Sequence, residues 1–242
     1  MYSNQSQSTK ADNQILYDPQ VQINAYLASN GSYLLGPKSF NRIASEPAAA
    51  NILFGSQYIR LRVELGSHNE WLKDARIFIQ VSALTGTGGT YIRFVNAPAI
   101  YMFDKFDLVC DGKPKESITS DQLYEQIYKN VDSDQWQRIA LDIGYNTSTT
   151  ARNTAAGSAQ SFALALKWMF NFFAKPVDIN NFANIEIRCF PKANLTYCIQ
   201  TDKTSPVLSF TNFQLDMQYI TPIDSINQFS RECVIWKISI YF

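Results

Sequence analysis

The residue types that usually do chemistry are thinly spread along this 242-residue sequence. Its only histidine, His68, stands in the polar segment GSHNEW, and the chain contains no G-x-S-x-G, H-E-x-x-H, P-loop or G-x-G-x-x-G pattern. A loop histidine without a partner nucleophile or acid reads as a surface residue. Asp132 and Asp134 flank Ser133 at a spacing that metal ligands can have, but the glycine and distal glutamate of a calcium loop are missing. A solvated turn is the expectation there. Gly86, Gly88 and Gly89 in LTGTGGT lack the lysine and following helix of a phosphate cradle, so they also read as a turn. Cys110, Cys189, Cys198 and Cys233 form no CxxC pair and have no neighbouring histidine. They are expected to be buried free thiols, since cysteine packs as a small hydrophobe. On these grounds no enzyme is expected, and no catalytic, cofactor-binding or metal-binding residue is assigned.

Binding chemistry is equally sparse. Lysine and arginine number 21, aspartate and glutamate 21, so no overall field draws the chain to nucleic acid or an anionic membrane. Arg60 and Arg62 share the outward parity of one strand, and a salt-bridged surface or interface is expected in preference to phosphate contact. Trp168, Phe170, Phe172 and Phe173 have the composition of a ligand groove, but core packing is the better use of such large apolar areas. No small-molecule ligand is expected. The sequons at Asn30, Asn146 and Asn194 read as incidental, because MYSNQSQSTKADNQ lacks the apolar core of a signal peptide. No stretch reaches the roughly 18 apolar residues of a transmembrane helix, and the chain reads as soluble and made in the cytosol.

What remains is scaffold. Hydrophobic residues make up 46% and charged residues 17%, with 16 Phe and 13 Tyr, a composition suited to strands. Alternation predicts strands over Tyr58 to Leu65, Ala75 to Leu84, Phe103 to Asp111, Ile185 to Phe190 and Asn212 to Tyr219. In the last, Phe213, Leu215, Met217 and Tyr219 face the core. Further strands are expected over Gln137 to Tyr145, Ser161 to Phe173, Leu195 to Gln200 and Val234 to Phe242. Asp111-Gly112 marks a tight turn, from which Lys113-Pro114-Lys115 leads away. One short helix follows. Thr119 and Gln122 have capping-box spacing, Ile118 and Leu123 can form a hydrophobic staple, and Leu123 with Ile127 and Tyr124 with Tyr128 are i,i+4 pairs. Between Ile15 and about Ala50 short extended pieces are expected, and Asn146 to Gln160 should be a weakly ordered solvent loop.

About eight to ten strands, one short helix and no βαβ alternation predict an all-β fold, a jelly-roll β-sandwich. Residues 1–16 are expected to form a flexible polar N-terminal arm. Residues 17–242 are expected to form a single jelly-roll domain, with an extension or partner-pairing strand at 231–242.

Several segments follow one another in an order known elsewhere. Ile100 to Ser117 (IYMFDKFDLVCDGKPKES), the helix from Asp121 to Val131, Phe162 to Pro191 and Phe213 to Ile220 (FQLDMQYI) resemble successive pieces of the first jelly roll of double jelly-roll major capsid proteins. That family spans large DNA viruses, virophages and adenovirus. The resemblance covers roughly residues 50–230 and implies a viral structural protein: a virion subunit, made in the host cytoplasm, that self-assembles into an icosahedral shell. It implies other capsid subunits as partners, in a homo-oligomer such as a trimer or pentamer. Family members continue into a second jelly roll, whereas a single roll is expected here, as in a penton or minor subunit; half of a capsomer completed by another chain, and two very compressed rolls, are the alternatives beside a major capsid protein. Met1 to Gln14 and Val234 to Phe242 would be the segments reaching outward. The rival expectation is a carbohydrate-binding sandwich, which needs Tyr and Trp on outward strand positions.

Overall fold

Alternating apolar residues give each strand one face that water penalises, and two such faces must close on each other. The computed structural model describes residues 35–63 and 71–222. The N-terminal arm, the His68 segment, Cys233 and the Val234 to Phe242 strand lie outside the described residues. In chain order the strands are β1 (Leu35–Ala44), β2 (Ile59–Val63), β3 (Trp71–Val81), β4 (Thr85–Thr87), β5 (Ile92–Phe94), β6 (Phe103–Cys110) and β7 (Lys113–Thr119). They continue with β8 (Gln160–Ala165), β9 (Val177–Asp178), β10 (Ile185–Pro191), β11 (Ile199–Thr201), β12 (Thr204–Val207) and β13 (Phe210–Pro222).

Two antiparallel sheets carry the core. The first has the order β1-β13-β3-β8, with β9 also pairing with β3, and the second has the order β2-β10-β6-β7. Apart from the β6–β7 hairpin and the short β9, successive strands of the two sheets therefore alternate between them, and the first of the described strands pairs with the last. That interleaving is the jelly roll. β5 with β11 and β4 with β12 form two small ribbons in the connections. Ile59, Leu61, Ile77, Ile79, Phe106, Leu108, Ile185, Ile187, Phe213 and Leu215 are buried, on the parity that alternation assigns to them. Phe103 of β6 meets Phe213 of β13 edge-on at 5.9 Å and also touches Phe106 and Phe210, so one aromatic cluster spans both sheets.

The β6–β7 hairpin turns on Asp111 (φ 51°) and Gly112 (φ 75°), the two positive φ values that a tight hairpin turn of the favoured hand requires. The chain does not lead away after this turn, as expected, but returns as β7. Asp111 Oδ1 accepts from the backbone N–H groups of Ala183 and Asn184 at 2.8 and 2.9 Å, fastening the turn to the start of β10.

Helices are more numerous than the single one expected. They are α1 (Pro98–Tyr101), α2 (Ser120–Asn130), α3 (Ser133–Ile143), α4 (Thr149–Ala156) and α5 (Leu166–Met169). The capping box of α2 is formed: Thr119 Oγ1 accepts from Gln122 N–H at 3.3 Å, and Gln122 Oε1 accepts from Thr119 N–H at 3.0 Å. Ile118 and Leu123 are both buried beside it.

Gln137 to Tyr145, expected as a strand, is instead helical as far as Ile143, within α3. Asp132 caps that helix by accepting from Gln135 N–H at 2.8 Å, and Trp136, Ile139 and Ile143 recur at helical spacing. The expected loop at Asn146 to Gln160 contains α4, capped by Ser148, with Ala156 buried. Small alanines sufficed because α4 lies close to β5 and needs little bulk to fill the gap. Ser161 to Phe173 is a strand only as far as Ala165; α5 and a 3-10 turn (Asn171–Phe173) follow. Leu195–Tyr197 is a 3-10 turn, and only Ile199–Thr201 is strand. Leu35–Ala44 is one ten-residue strand instead of short pieces, because β13 offers it a full-length partner.

Two outcomes follow for stability. Phe103→Ala should lower unfolding free energy by about 3–5 kcal/mol, the range for a large core truncation, read as a lower urea midpoint. Gly144 closes α3 at φ +72°, and a Cβ there would lie 2.6 Å from the Phe162 ring and 2.9 Å from Pro98 Cδ. Gly144→Ala should therefore cost more than the roughly 1–2 kcal/mol of left-handed backbone alone, whereas Thr119→Ala should cost only about 1 kcal/mol.

Candidate functional site

The residue types singled out for chemistry serve the framework. Asp132 is the cap of α3. Gly88 and Gly89, each at φ +63°, form the expected turn, and Asp202 holds it. The Asp202 carboxylate accepts from the N–H groups of Tyr91 and Thr90 at 2.8–2.9 Å and from the Thr90 hydroxyl at 2.7 Å. These bonds, led by that from Tyr91 N–H, lower its pKa to about 2. Cys110, Cys189 and Cys198 are buried free thiols. Burial raises the pKa of all three, that of Cys198 to about 12, which withholds the reactive thiolate at neutral pH. Asn146 and Asn194 accept backbone N–H bonds from Ser148 and Thr196. Among the described residues no three His, Cys, Asp or Glu side chains gather closely enough to hold a metal ion, and no helix is long and apolar enough to cross a membrane.

Two surfaces stand out instead. The outer face of the second sheet centres on Glu186, which has outward parity yet is only 4% exposed. Register places Arg60 directly opposite Arg188, a like-charge pair that by itself would destabilise the sheet. Glu186 resolves this, with its two oxygens 3.3 Å from Arg60 Nε and 2.5 Å from Arg188 Nε. Arg60 and Arg62 also reach Glu46, so both arginines are salt-bridged as expected. Tyr58 and Phe190 pack at 5.7 Å on the same face, with Arg188 over Tyr58 and Lys105 over Phe190. The outward aromatic rings of these strands are thus covered by cations.

The second surface lies on α1 and on the helices between β7 and β8. Tyr101, Tyr124, Tyr128, Trp136 and Tyr145 form a continuous ladder with ring centroids 4.9–6.3 Å apart. Tyr128 at its middle is 63% exposed, and Leu141 on α3 is 79% exposed. Sequence reasoning looked for exposed aromatic residues on strands and missed this cluster, because three of its members lie on α3, its C-terminal flank and α1. The i,i+4 pair Tyr124 and Tyr128 was the available signal. Phe170 and Phe173 are buried as expected, whereas Trp168 and Phe172 are half-buried.

Two charge changes test this account. Glu186→Ala removes the anion between two facing arginines and should cost about 1–3 kcal/mol, the range for a buried group losing its partner; Arg188→Ala in the same chain should restore part of it in a double-mutant cycle. Because the folded-state pKa of Asp202 lies below the unfolded value of about 3.9, its latch is fully present above that value and is lost as pH falls through about 2. Amide exchange at Thr90 and Tyr91 should accelerate over that interval, and should be fast at neutral pH in Asp202→Asn.

No protein-family model matches the sequence, and no curated protein sequence does. Solved structures do. A chain of the Sputnik virophage structure superposes with TM-score 0.54 at 9% identity, covering 78% of this chain and 48% of its own length. The Faustovirus major capsid protein superposes with TM-score 0.53 at 8% identity, covering 80% of this chain and 56% of its own length. The chain thus spans about half the length of the structures that it matches, and it has the jelly-roll fold of the double jelly-roll major capsid proteins.

Proposed function

We propose that this chain is a structural subunit of a viral capsid, and that it self-associates through the edges and loops of one jelly roll into an icosahedral shell. The observation that carries this reading is the interleaved order of the two sheets, in a chain that superposes on a major capsid protein over 80% of its length. The framework roles of the polar residues support it: Asp111, Asp132, Asp202 and Glu186 spend their charge on fixing turns and strands, as a rigid building block requires. On this reading residues 17–242 form a single jelly-roll domain, the partners are other copies in a trimer or pentamer, and the protein resides in the virion. Whether it acts as major capsid, penton or minor subunit follows from its oligomer number. The polar arm at 1–14 would order on contact with the next subunit.

The exposed aromatic ladder favours a second reading, carbohydrate binding, in which Tyr124, Tyr128 and Trp136 present rings to a sugar face.

Light scattering on the purified chain decides between them. A trimer or pentamer that weakens on removal of residues 1–14, with circular dichroism unchanged, is expected for the capsid subunit. A monomer at all concentrations would overturn it. Glycan binding lost in Tyr128→Ala would then establish the second reading.

A further inference from the structure

A cleft of about 670 Å³ opens beside β8, at the edge of the first sheet. Three cations from three elements line it: Arg76 of β3, Arg138 of α3 and Lys167 of α5. The two arginines stand apart from the others. Arg42, Arg60, Arg62 and Arg188 are salt-bridged, Arg93 donates to Gln200, and Arg152 donates to the Phe94 carbonyl. Among the described residues, the guanidinium groups of Arg76 and Arg138 have neither an ion pair nor a hydrogen bond. Register accounts for the first. Arg76 lies between Asp216 and Ala165, but the Asp216 carboxylate is already held by Arg42 Nε at 2.8 Å and Gln214 Nε2 at 2.9 Å. Lys167 meets the Trp168 ring at 5.5 Å. Asp74 and Asp142 are the carboxylates of the lining, so three cations face two anions and one positive charge is left over.

We propose that this cleft binds a small aromatic phosphate monoester, with its phosphate on Arg76, Arg138 and Lys167. A guanidinium presents paired donors in a plane that matches two phosphate oxygens, and two such groups with an ammonium suit a dianion. Coulomb attraction scales with ligand charge, so a phosphate dianion gains more from the positive excess than a carboxylate does. The rest of the lining suits a compact organic body. Ala163, Ala165, Ile139 and Trp168 are half-buried and leave apolar surface open beside the cations. Behind them Leu123, Leu164 and Met169 are buried and close the cleft. Its volume falls within the roughly 300–1,000 Å³ of small-molecule sites, which admits a small ligand and not a folded surface. The cations come from three distant parts of the chain, so no local motif announces the site. The inference stands independently of the capsid reading.

The test is isothermal titration calorimetry of the full chain at about pH 7.5, where a phosphate monoester is close to doubly charged. Phenyl phosphate should bind once per chain with a Kd of about 1 mM or tighter. Inorganic phosphate and benzoate should each bind at least about threefold more weakly, and phenol not detectably. Arg138→Gln exchanges one good helix former for another at an exposed position. It should weaken phenyl phosphate about tenfold or more, the scale of a lost charge-assisted hydrogen bond. Asp142→Asn removes a neighbouring anion and should tighten binding, a change of opposite sign that general loss of structure would not produce. Arg62→Gln, on the other sheet, should leave binding unchanged, and circular dichroism checks that every variant is folded. No binding of phenyl phosphate, equal binding of benzoate or inorganic phosphate, weaker binding in Asp142→Asn, or the same loss in Arg62→Gln as in Arg138→Gln would overturn the proposal.

Discussion

The fold depends on one constraint, the burial of aromatic rings contributed by both sheets at a common point. Phe103 and Phe106 come from one sheet and Phe210 and Phe213 from the other, and each ring touches another of the four within 6.4 Å. Because β6 and β13 are interior strands of their sheets, fixing these rings against each other fixes the sheets' separation and relative rotation. Everything outside then has a settled frame. The loops need only local fastening, which explains why Asp111, Glu116, Asp132 and Asp202 each accept backbone N–H bonds.

That division of labour also explains where polar residues go. A single carboxylate accepting two or more backbone N–H groups fixes a connection without a large buried surface, as Asp202 does for the Gly88-Gly89 turn, Asp111 for the β6–β7 hairpin and Glu116 for the 3-10 turn after α5. Glu186 plays the corresponding part within a sheet, where strand register brings two arginines face to face. A sandwich stiffened in this way keeps its shape when its edges and loops make contacts.

The helical insertion between β7 and β8 is where the molecule departs from bare scaffold. α2 and α3 bury Leu123, Ile127 and Ile143 beneath them while leaving the Tyr128 ring and Leu141 open. Both helices also line a cleft of about 670 Å³ beside β8, and α3 packs against that strand.

The sequence by itself determined the strands whose periodicity was unambiguous. Ile59 to Val63, Ile77 to Val81, Phe106 to Cys110 and Phe213 to Tyr219 are buried on the parity that their alternation dictates, and Thr119 with Gln122 announced the start of α2. Those signals are local, since they arise from side chains two or four residues apart. Tertiary structure decided the rest. Gln137 to Tyr145 carries both a strand-like and a helix-like spacing, and it became helix because Ile139 and Ile143 had an apolar floor to meet and Asp132 was placed to cap it. α4 has almost no apolar signal, because its burial is set by proximity to β5 and not by its own side chains. Apart from the β6–β7 hairpin, each strand pairing joins residues far apart in the chain; the register of β2 on β10 makes the Arg60–Glu186–Arg188 bridge, and the packing of the helices on one another makes the aromatic ladder.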